Sequence, residues 1–237
     1  MKRDSQQKVG AVIAAAGLSQ RMGGMDKVFA RLGGQPVLVR VIDVFQKCPA
    51  VDQIVVVLGQ HNLEAGRQLV TAQGWSRVTD VCPGGERRQD SVAAGLSRLS
   101  DCQWVVIHDG ARPLVTVDLI ERGLEAATET GSAIAAVPVT DTIKVAGDDL
   151  IVQGTPPRGN LWAAQTPQVF RFDVIAEAYR RAKYEVTDDA RLVEQAGYKV
   201  KLYMGSYDNI KITAPHDLTL AEILLQKNEH DAHGNRL

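Results

Sequence analysis

Short, uniformly apolar segments alternate with longer amphipathic segments along most of the 237-residue chain. The apolar segments have the length of strands, but they lack the alternation of polar and apolar residues that is typical of a sheet with one solvent-exposed face. They lie at residues 9–14, 53–58, 77–81, 103–109 and 132–139. Strands of this kind are buried on both faces, so the pattern predicts one α/β domain with a mostly parallel sheet between two layers of helices.

Helical patterns fill the intervals between these strands and continue to the end of the chain. They lie at about 35–46, 62–73, 91–99, 117–130, 173–183 and 187–195, with a last helix from Pro215 to about Leu225. Two later segments, 199–205 and 209–212, are predicted as strands. Residues 1–225 are therefore predicted to form a single domain, and the polar residues 226–237 a flexible tail.

Residues 139–166 depart from this alternation. Apolar and polar residues alternate here around a Gly-Asp-Asp turn, which predicts a hairpin that projects from the body as an arm. Its apolar side chains are Ile143, Val145, Leu150, Ile151 and Val152. Because a lone hairpin is marginal in water, we expect a second copy of the chain to bury them in a homodimer. The alternative is an arm folded back on its own domain.

Composition limits the possible partners and compartments. The formal net charge is −1, so we expect no overall positive electrostatic potential that would attract nucleic acid. No apolar run approaches the ~20 residues that span a bilayer, so no membrane association is expected. Three cysteines without a C-x-x-C pair fit a reducing cytoplasm. The apolar run after the charged N-terminus is interpreted as the first strand; the alternative is a signal peptide.

The loop after the first strand has the composition of a phosphate site. Gly17, Gly23 and Gly24 let backbone N–H groups approach a ligand, and Arg21 and Lys27 add positive charge. Ligands of open α/β sheets bind beyond the carboxyl ends of the strands, where this loop lies. It matches neither the P-loop pattern nor the dinucleotide fingerprint. The alternative is a glycine-rich connection with solvated charges.

Two further strand ends carry candidate residues. The stretch "PGGERRQDS" follows the third strand. Its Gly85 would let the backbone approach a ligand closely, and the hydroxyl of Ser91, at the start of a predicted helix, would face that ligand. The stretch "HDGARP" follows the fourth strand. It offers Asp109 as a Mg²⁺ ligand, because Mg²⁺ prefers one or two carboxylates plus phosphate oxygens, with Arg112 nearby. A turn or helix-cap role is the alternative for Asp109, and His108 is interpreted as a packed strand-end residue without a role in the site.

A late lysine is a fourth candidate. Lys211 lies between Ile210 and Ile212 in a predicted strand, so its side chain points away from theirs. If the isoleucines pack in the core, Lys211 faces an edge or a cleft. A solvated lysine is the alternative.

Seven segments together resemble the 2-C-methyl-D-erythritol 4-phosphate cytidylyltransferase family. They are "AAAGLSQRMGGMDK", "GGERRQDSV", "HDGARP", "PVTDTIK", "WAAQTPQVF", "TDDA" and "DNIKIT", in order between about residues 9 and 225. The resemblance implies a Rossmann-like three-layer α/β/α nucleotidyltransferase fold. It also implies a reaction in which CTP and methylerythritol phosphate give the diphosphocytidyl product and pyrophosphate, with Mg²⁺, in isoprenoid biosynthesis.

The resemblance also implies roles for single residues. Arg21 and Lys27 would hold the triphosphate, and Lys211 would neutralise charge at the reacting phosphates. The expected nucleotide-binding residues are Ala15, Ala16, Gly17, Gly85, Glu86, Ser91 and Asp109, of which Asp109 would also hold the metal. The expected residues for the acceptor are Arg112, Thr142, Arg158, Thr166, Asp208 and Lys211. Since the family's arm crosses a homodimer, Thr142 and Arg158 would serve the neighbouring site.

Three positions depart from the family pattern. Ala14, Ser19 and Asp26 stand where the family often has proline, glycine and proline, and Asp26 puts a negative charge near the expected triphosphate. Three alternative functions remain at this stage. They are a cytidylyltransferase for ribitol 5-phosphate, a nucleotidyltransferase for UDP- or GDP-sugars, and a nucleotide-binding regulator without turnover.

Overall fold

A central sheet of seven strands organises the computed structural model, which describes residues 7–17, 26–182 and 184–234. The strands in these parts of the chain are β1 (Val9–Ala15), β2 (Arg31–Leu32), β3 (Gln35–Pro36), β4 (Gln53–Leu58), β5 (Val78–Pro83), β6 (Trp104–Asp109), β7 (Ser132–Pro138), β8 (Val145–Ala146), β9 (Val152–Gly154), β10 (Trp162–Arg171) and β11 (Lys201–Met204). The helices are α1 (Val37–Lys47), α2 (Leu63–Gln73), α3 (Arg88–Leu96), α4 (Val117–Thr130), α5 (Phe172–Arg181), α6 (Asp189–Gln195) and α7 (Pro215–Gly234).

The strand order across the sheet is β11-β7-β10-β6-β1-β4-β5. Parallel pairing joins β5, β4, β1 and β6, and β11 runs parallel to β7. Strand β10 lies between β6 and β7 and is antiparallel to both. The predicted mostly parallel sheet is therefore confirmed, with β10 as its antiparallel member.

Side chains on the two faces of the sheet enter two separate cores. Along β1, Val9, Ala11 and Ile13 belong to a core that also contains buried residues of α1, α2 and α4, whereas Val12 belongs to a core with buried residues of α3, α5 and α6. Both faces are thus covered, which explains why the strand sequences show no polar alternation. A smaller cluster beneath α7 contains Ile212 and Ala221. This arrangement is the predicted three-layer α/β/α fold.

The arm is a short hairpin that leaves the sheet after β7. Strands β8 and β9 pair antiparallel, and the Val139 N–H donates to the Leu161 carbonyl at 3.1 Å where the hairpin closes. The predicted arm of 139–166 is too long, because residues 162–166 belong to β10. We therefore define the arm as residues 139–161.

Three further predictions about the elements were wrong. Strand β10 was not predicted, since its sequence contains Pro167 and several polar residues. Residues 209–212 form no strand: the Asn209 and Ile210 N–H groups donate locally to the Ser206 and Asp208 carbonyls, and the Ile212 N–H donates to the Ala111 carbonyl at 2.8 Å. The last helix ends at Gly234 rather than near Leu225, so residues 226–234 are helical. No helix within the described ranges is long and apolar enough to cross a membrane.

Candidate active site

A cleft opens at the carboxyl ends of β1, β5 and β6. Its lining combines small residues after β1, the start of α3, the end of β6 and a late lysine. The lining residues are Ala14, Ala15, Ala16, Gly17, Lys27, Val28, Gly85, Glu86, Arg87, Arg88, Ser91, Asp109, Ala111 and Lys211. The cleft therefore lies where open α/β sheets bind ligands.

Close backbone packing shapes one wall of the cleft. A Cβ on Gly84 would lie 2.4 Å from the Ala16 Cβ and 2.5 Å from the Ser91 Oγ, so only glycine fits where the loop after β5 meets the loop after β1. Ser91 is buried, and its hydroxyl donates to the Arg87 carbonyl at 3.1 Å. The wall consequently presents backbone groups and small side chains rather than bulky ones.

Three cations surround the carboxylate of Asp109, which also lines the cleft. Arg88 Nε donates to Oδ1 at 3.1 Å, Lys211 Nζ lies 2.8 Å from Oδ2, and Arg112 Nε lies 3.6 Å from the same oxygen. Burial alone would raise the pKa of Asp109, but the charges of Arg88, Lys211 and Arg112 lower it well below its usual range. Asp109 is therefore ionised at neutral pH even though it is buried.

A chain of hydrogen bonds fixes the backbone of Asp109. The Asp109 N–H donates to Thr166 Oγ1 at 3.0 Å, and Thr166 Oγ1 lies 3.0 Å from Nδ1 of His108. His108 Nε2 lies 3.1 Å from the Arg112 carbonyl. Since a carbonyl only accepts, we assign the proton to Nε2, and the Thr166 hydroxyl donates to Nδ1. Burial lowers the pKa of His108 to about 4, so the ring is neutral and packed, as predicted.

The segment that carries Lys211 is held by contacts with the loop after β6. The Ile212 N–H donates to the Ala111 carbonyl at 2.8 Å, and Arg112 Nη1 donates to the Asn209 carbonyl at 2.7 Å. These bonds place Lys211 against Asp109. The solvated alternative for Lys211 is therefore wrong in this structure.

The cleft brings together most of the predicted nucleotide-binding and catalytic residues. They are Ala15, Ala16, Gly17, Lys27, Gly85, Glu86, Ser91, Asp109 and Lys211. Arg21 and the departure at Ser19 lie outside the described residues. Their proposed roles remain predictions.

The predicted acceptor residues are more dispersed. Arg112 and Thr166 lie behind Asp109 and contact it rather than line the cleft. Asp208 lies 3.7 Å from Lys227 of α7. Thr142 and Arg158 are in the arm, where Arg158 Nη1 donates to the Thr140 carbonyl at 2.7 Å. The cleft of a single chain is thus formed without either arm residue.

Two charged residues of this region were missed from the sequence. Arg88 binds Asp109 on one side and Asp189 on the other, where Nη1 donates to Oδ2 at 2.8 Å. The stretch "GGERRQDS" contains two adjacent arginines, and the sequence does not tell which one faces inward. Arg87 pairs with Asp90 at 2.6 Å on the exposed side, so Arg88 is the inward residue. Asp189 belongs to "TDDA", which carried the resemblance without an assigned role.

The charge of Asp26 has partners within the protein. Its Oδ1 accepts from the Val28 N–H at 3.1 Å, and Asn62 Nδ2 donates to its Oδ2. His61 Nε2 lies 3.4 Å from the same oxygen. Asp26 thus connects the end of the loop after β1 with the turn before α2.

The fold and the cleft together define a class. A three-layer α/β/α domain whose cleft at the strand ends holds Lys27, Lys211 and the ionised Asp109, with no histidine among its described lining residues, is typical of a nucleotidyltransferase. Comparison with known proteins makes this specific. Residues 9–227 match the family model of 2-C-methyl-D-erythritol 4-phosphate cytidylyltransferase (IspD). The chain belongs to this family, and the resemblance noted in the sequence is confirmed.

Individual relatives agree over nearly the whole chain. A protein named 2-C-methyl-D-erythritol 4-phosphate cytidylyltransferase from Dehalococcoides mccartyi is 55% identical over 221 residues, which cover 93% of this chain and 97% of the relative. The crystal structure of 4-diphosphocytidyl-2C-methyl-D-erythritol synthase from Anaerococcus prevotii superposes with a TM-score of 0.83 at 29% identity, covering 93% of this chain and 99% of that one. The cytidylyltransferase from Thermus thermophilus gives 0.77 at 34% identity, with 93% and 100% covered.

Proposed function

We propose that the chain transfers a cytidylyl group from CTP to 2-C-methyl-D-erythritol 4-phosphate and releases pyrophosphate, in non-mevalonate isoprenoid biosynthesis. The observation that carries this proposal is the Asp109 cluster in the cleft, seen in a member of this family. An acceptor phosphate oxygen attacks the α-phosphorus of CTP. The bond between that phosphorus and the oxygen bridging to the β-phosphate breaks, and pyrophosphate leaves.

This reaction needs charge stabilisation rather than a general base, because the attacking phosphate is already an anion. The site agrees with that requirement. His108 is buried, neutral and hydrogen-bonded at both ring nitrogens, so it does not act on a substrate. Lys27 and Lys211 line the cleft and would stabilise the negative charge that develops on the phosphates. Arg21 would share this role by resemblance.

Mg²⁺ fits this donor set as an ion carried by phosphates. No group of three or more His, Cys, Asp or Glu side chains that could hold a metal occurs among the described residues. Asp109 supplies one ionised carboxylate, and Mg²⁺ commonly combines one or two carboxylates with phosphate oxygens and water. Bound there with Asp109, the cation would neutralise phosphate charge. Of the three side chains around Asp109, that of Lys211 is the most exposed, at 37%, so Lys211 can turn to an incoming phosphate.

The arm supports a homodimer with shared sites. Leu150, Ile151 and Val152 are 86%, 65% and 55% exposed, and the two-strand hairpin offers no core that would cover them. We propose that a second chain buries them, and that Thr142 and Arg158 reach the partner's cleft to bind the acceptor phosphate. The proposed compartment is the cytoplasm, which fits the free thiols of Cys48, Cys82 and Cys102.

The test is pyrophosphate release from CTP and Mg²⁺, with methylerythritol 4-phosphate and ribitol 5-phosphate offered separately. We expect release with methylerythritol phosphate alone. Release with ribitol 5-phosphate alone would overturn the acceptor but keep the nucleotide site. CTP binding without release from either acceptor would favour the regulator.

A further inference from the structure

The side chain of Arg88 spans two buried carboxylates. Its Nε donates to Asp109 at 3.1 Å, and its Nη1 donates to Asp189 at 2.8 Å. Asp109 lies at the end of β6, whereas Asp189 is the first residue of α6. Arg88 itself begins α3. One guanidinium therefore ties together three elements at the edge of the cleft.

The Asp189 end of this bridge is rigidly held. Asp189 is 1% exposed, and the Tyr179 hydroxyl donates to its Oδ1 at 2.5 Å. Gln168 of β10 fixes the start of α6, because its Oε1 accepts from the Ala190 N–H at 3.1 Å and its Nε2 donates to Asp188 at the same distance. The Asp189 carboxylate is thus held in place by its own contacts and gives Arg88 a fixed partner.

The Asp109 end faces the substrates. Lys211 and Arg88 hold different oxygens of Asp109, and Lys211 is the more exposed of the two. When Lys211 turns to a phosphate, Oδ2 loses its closest partner, since Arg112 Nε is 3.6 Å away. Only the contact of Arg88 with Oδ1 then holds the carboxylate within hydrogen-bond distance among the side chains described around it.

We propose that Arg88 is a positioning residue: anchored on Asp189, it holds the Asp109 carboxylate in its reactive orientation while Lys211 transfers from Asp109 to the substrate phosphates. The proposal rests on the proposed function and extends it to α6, which does not itself line the cleft. Arginine suits the task better than lysine, because its planar fork reaches two carboxylates at once.

The first test compares crystal structures of the ligand-free Lys211→Met variant and the Lys211→Met/Arg88→Met double variant, because Lys211 also holds Asp109 when no ligand is bound. In Lys211→Met the Arg88 Nε–Asp109 Oδ1 distance should stay near 3.1 Å. In the double variant the carboxylate should rotate, so that Arg112 Nε approaches Oδ2 from 3.6 Å to about 3 Å. An Asp109 carboxylate that is unchanged in the double variant would overturn the proposal. If the double variant does not fold, Lys211→Met/Asp189→Asn serves instead, and there the Arg88 Nε–Asp109 Oδ1 distance should lengthen. This readout does not depend on the identity of the substrates.

The second test separates positioning from binding and from stability. Arg88→Met should lower kcat by about 100-fold with little change in the KM for CTP, since a small misplacement of a reacting group has this effect. Asp189→Asn should lower kcat in the same direction but less, and the double variant should be no slower than Arg88→Met alone. Arg98→Met is the matched control, because Arg98 pairs with Asp80 at an exposed site.

Each other outcome has a definite meaning. A raised KM for CTP with normal kcat would make Arg88 a binding residue and overturn the proposal. A lower melting temperature with normal kcat per folded enzyme would make it structural and overturn it as well. Strictly additive effects would remove Asp189 from the mechanism. If the wild type itself releases no pyrophosphate, the proposed function fails, and the crystal structures still decide whether Arg88 positions Asp109.

Discussion

The cleft and the arm differ in whether their side chains have partners within the same chain. In the cleft, Asp109 has Arg88, Lys211 and Arg112 around it, and Thr166 holds its backbone. In the arm, Leu150 and Ile151 remain exposed. The cleft is therefore built within one chain, whereas the arm lacks the apolar partners that would stabilise it. This difference supports our proposal that nucleotide chemistry belongs to one subunit and that a second subunit completes the site.

The largest expected effect is on the cleft side of this comparison. Lys27→Ala should lower kcat by about 100- to 1,000-fold, because a preorganised cation at the developing phosphate charge is lost. Arg21→Ala should behave alike. The check is steady-state pyrophosphate release, with the melting temperature measured in parallel. Lys47→Ala, on the exposed last turn of α1, is the control and should be unaffected. Near-normal kcat in Lys27→Ala would remove that residue from the mechanism.

An arm variant should act on the acceptor alone. Arg158→Ala is expected to lower kcat/KM for methylerythritol phosphate by about 10- to 100-fold, the worth of a hydrogen bond to a charged group, and to leave the KM for CTP unchanged. Lys144→Ala is the matched control, because Lys144 is also in the arm and donates to Thr155 at 2.8 Å. Equal losses for both substrates would place Arg158 at the nucleotide instead.

Association should depend on the arm and not on other exposed apolar residues. Ile151→Glu should weaken the dimer by at least about tenfold, because it would place a charge in an apolar interface. Light scattering across a concentration series measures this as a shift towards the 25.7 kDa monomer. Ile223→Glu on α7 is the control, since Ile223 is 60% exposed and Ile151 is 65% exposed. Equal weakening by both substitutions would move the interface away from the arm.

The smallest effect concerns the buried support of the cleft. The pKa of His108 is about 4 in the folded chain and about 6.5 when unfolded, so the unfolded state binds more protons between these values. Stability should fall as the pH drops through this window, by about 1 kcal/mol between pH 7 and 5.5. Denaturant unfolding of His108→Asn should show a flatter dependence, and His216→Asn, at an exposed site, should keep the wild-type slope. An identical slope in His108→Asn would contradict the buried neutral ring.

Local sequence patterns predicted those parts of the fold in which a strand can be recognised from its own residues. The apolar strands β1, β4 and β6 were predicted from composition and period alone, and the cleft was expected at the strand ends of such a sheet. Strand β10 did not, because Pro167 argues against a central strand. The structure accommodates it where the pairing of β10 with β7 is irregular, between Ala164 and Gln168. That irregular stretch contains Thr166, which supports Asp109.

The site was most predictable where a residue's surroundings are near in sequence. The loops after β1, β5 and β6 indicated Lys27, Gly85 and Asp109 directly. The contact of Arg88 with Asp189 joins residues 101 positions apart, and no local pattern reports such a distance. The orientation of adjacent Arg87 and Arg88 depends on where α3 begins, and helix starts are poorly defined by sequence.

The most direct test of the division between cleft and arm is a doubly tagged heterodimer of one Lys27→Ala chain and one Arg158→Ala chain. If each arm serves its partner, one of the two sites combines an intact cleft with an intact arm, and the heterodimer should keep about half of the wild-type activity. If each arm serves its own chain, both sites carry a defect. Activity no higher than that of the two variant homodimers would then contradict the account.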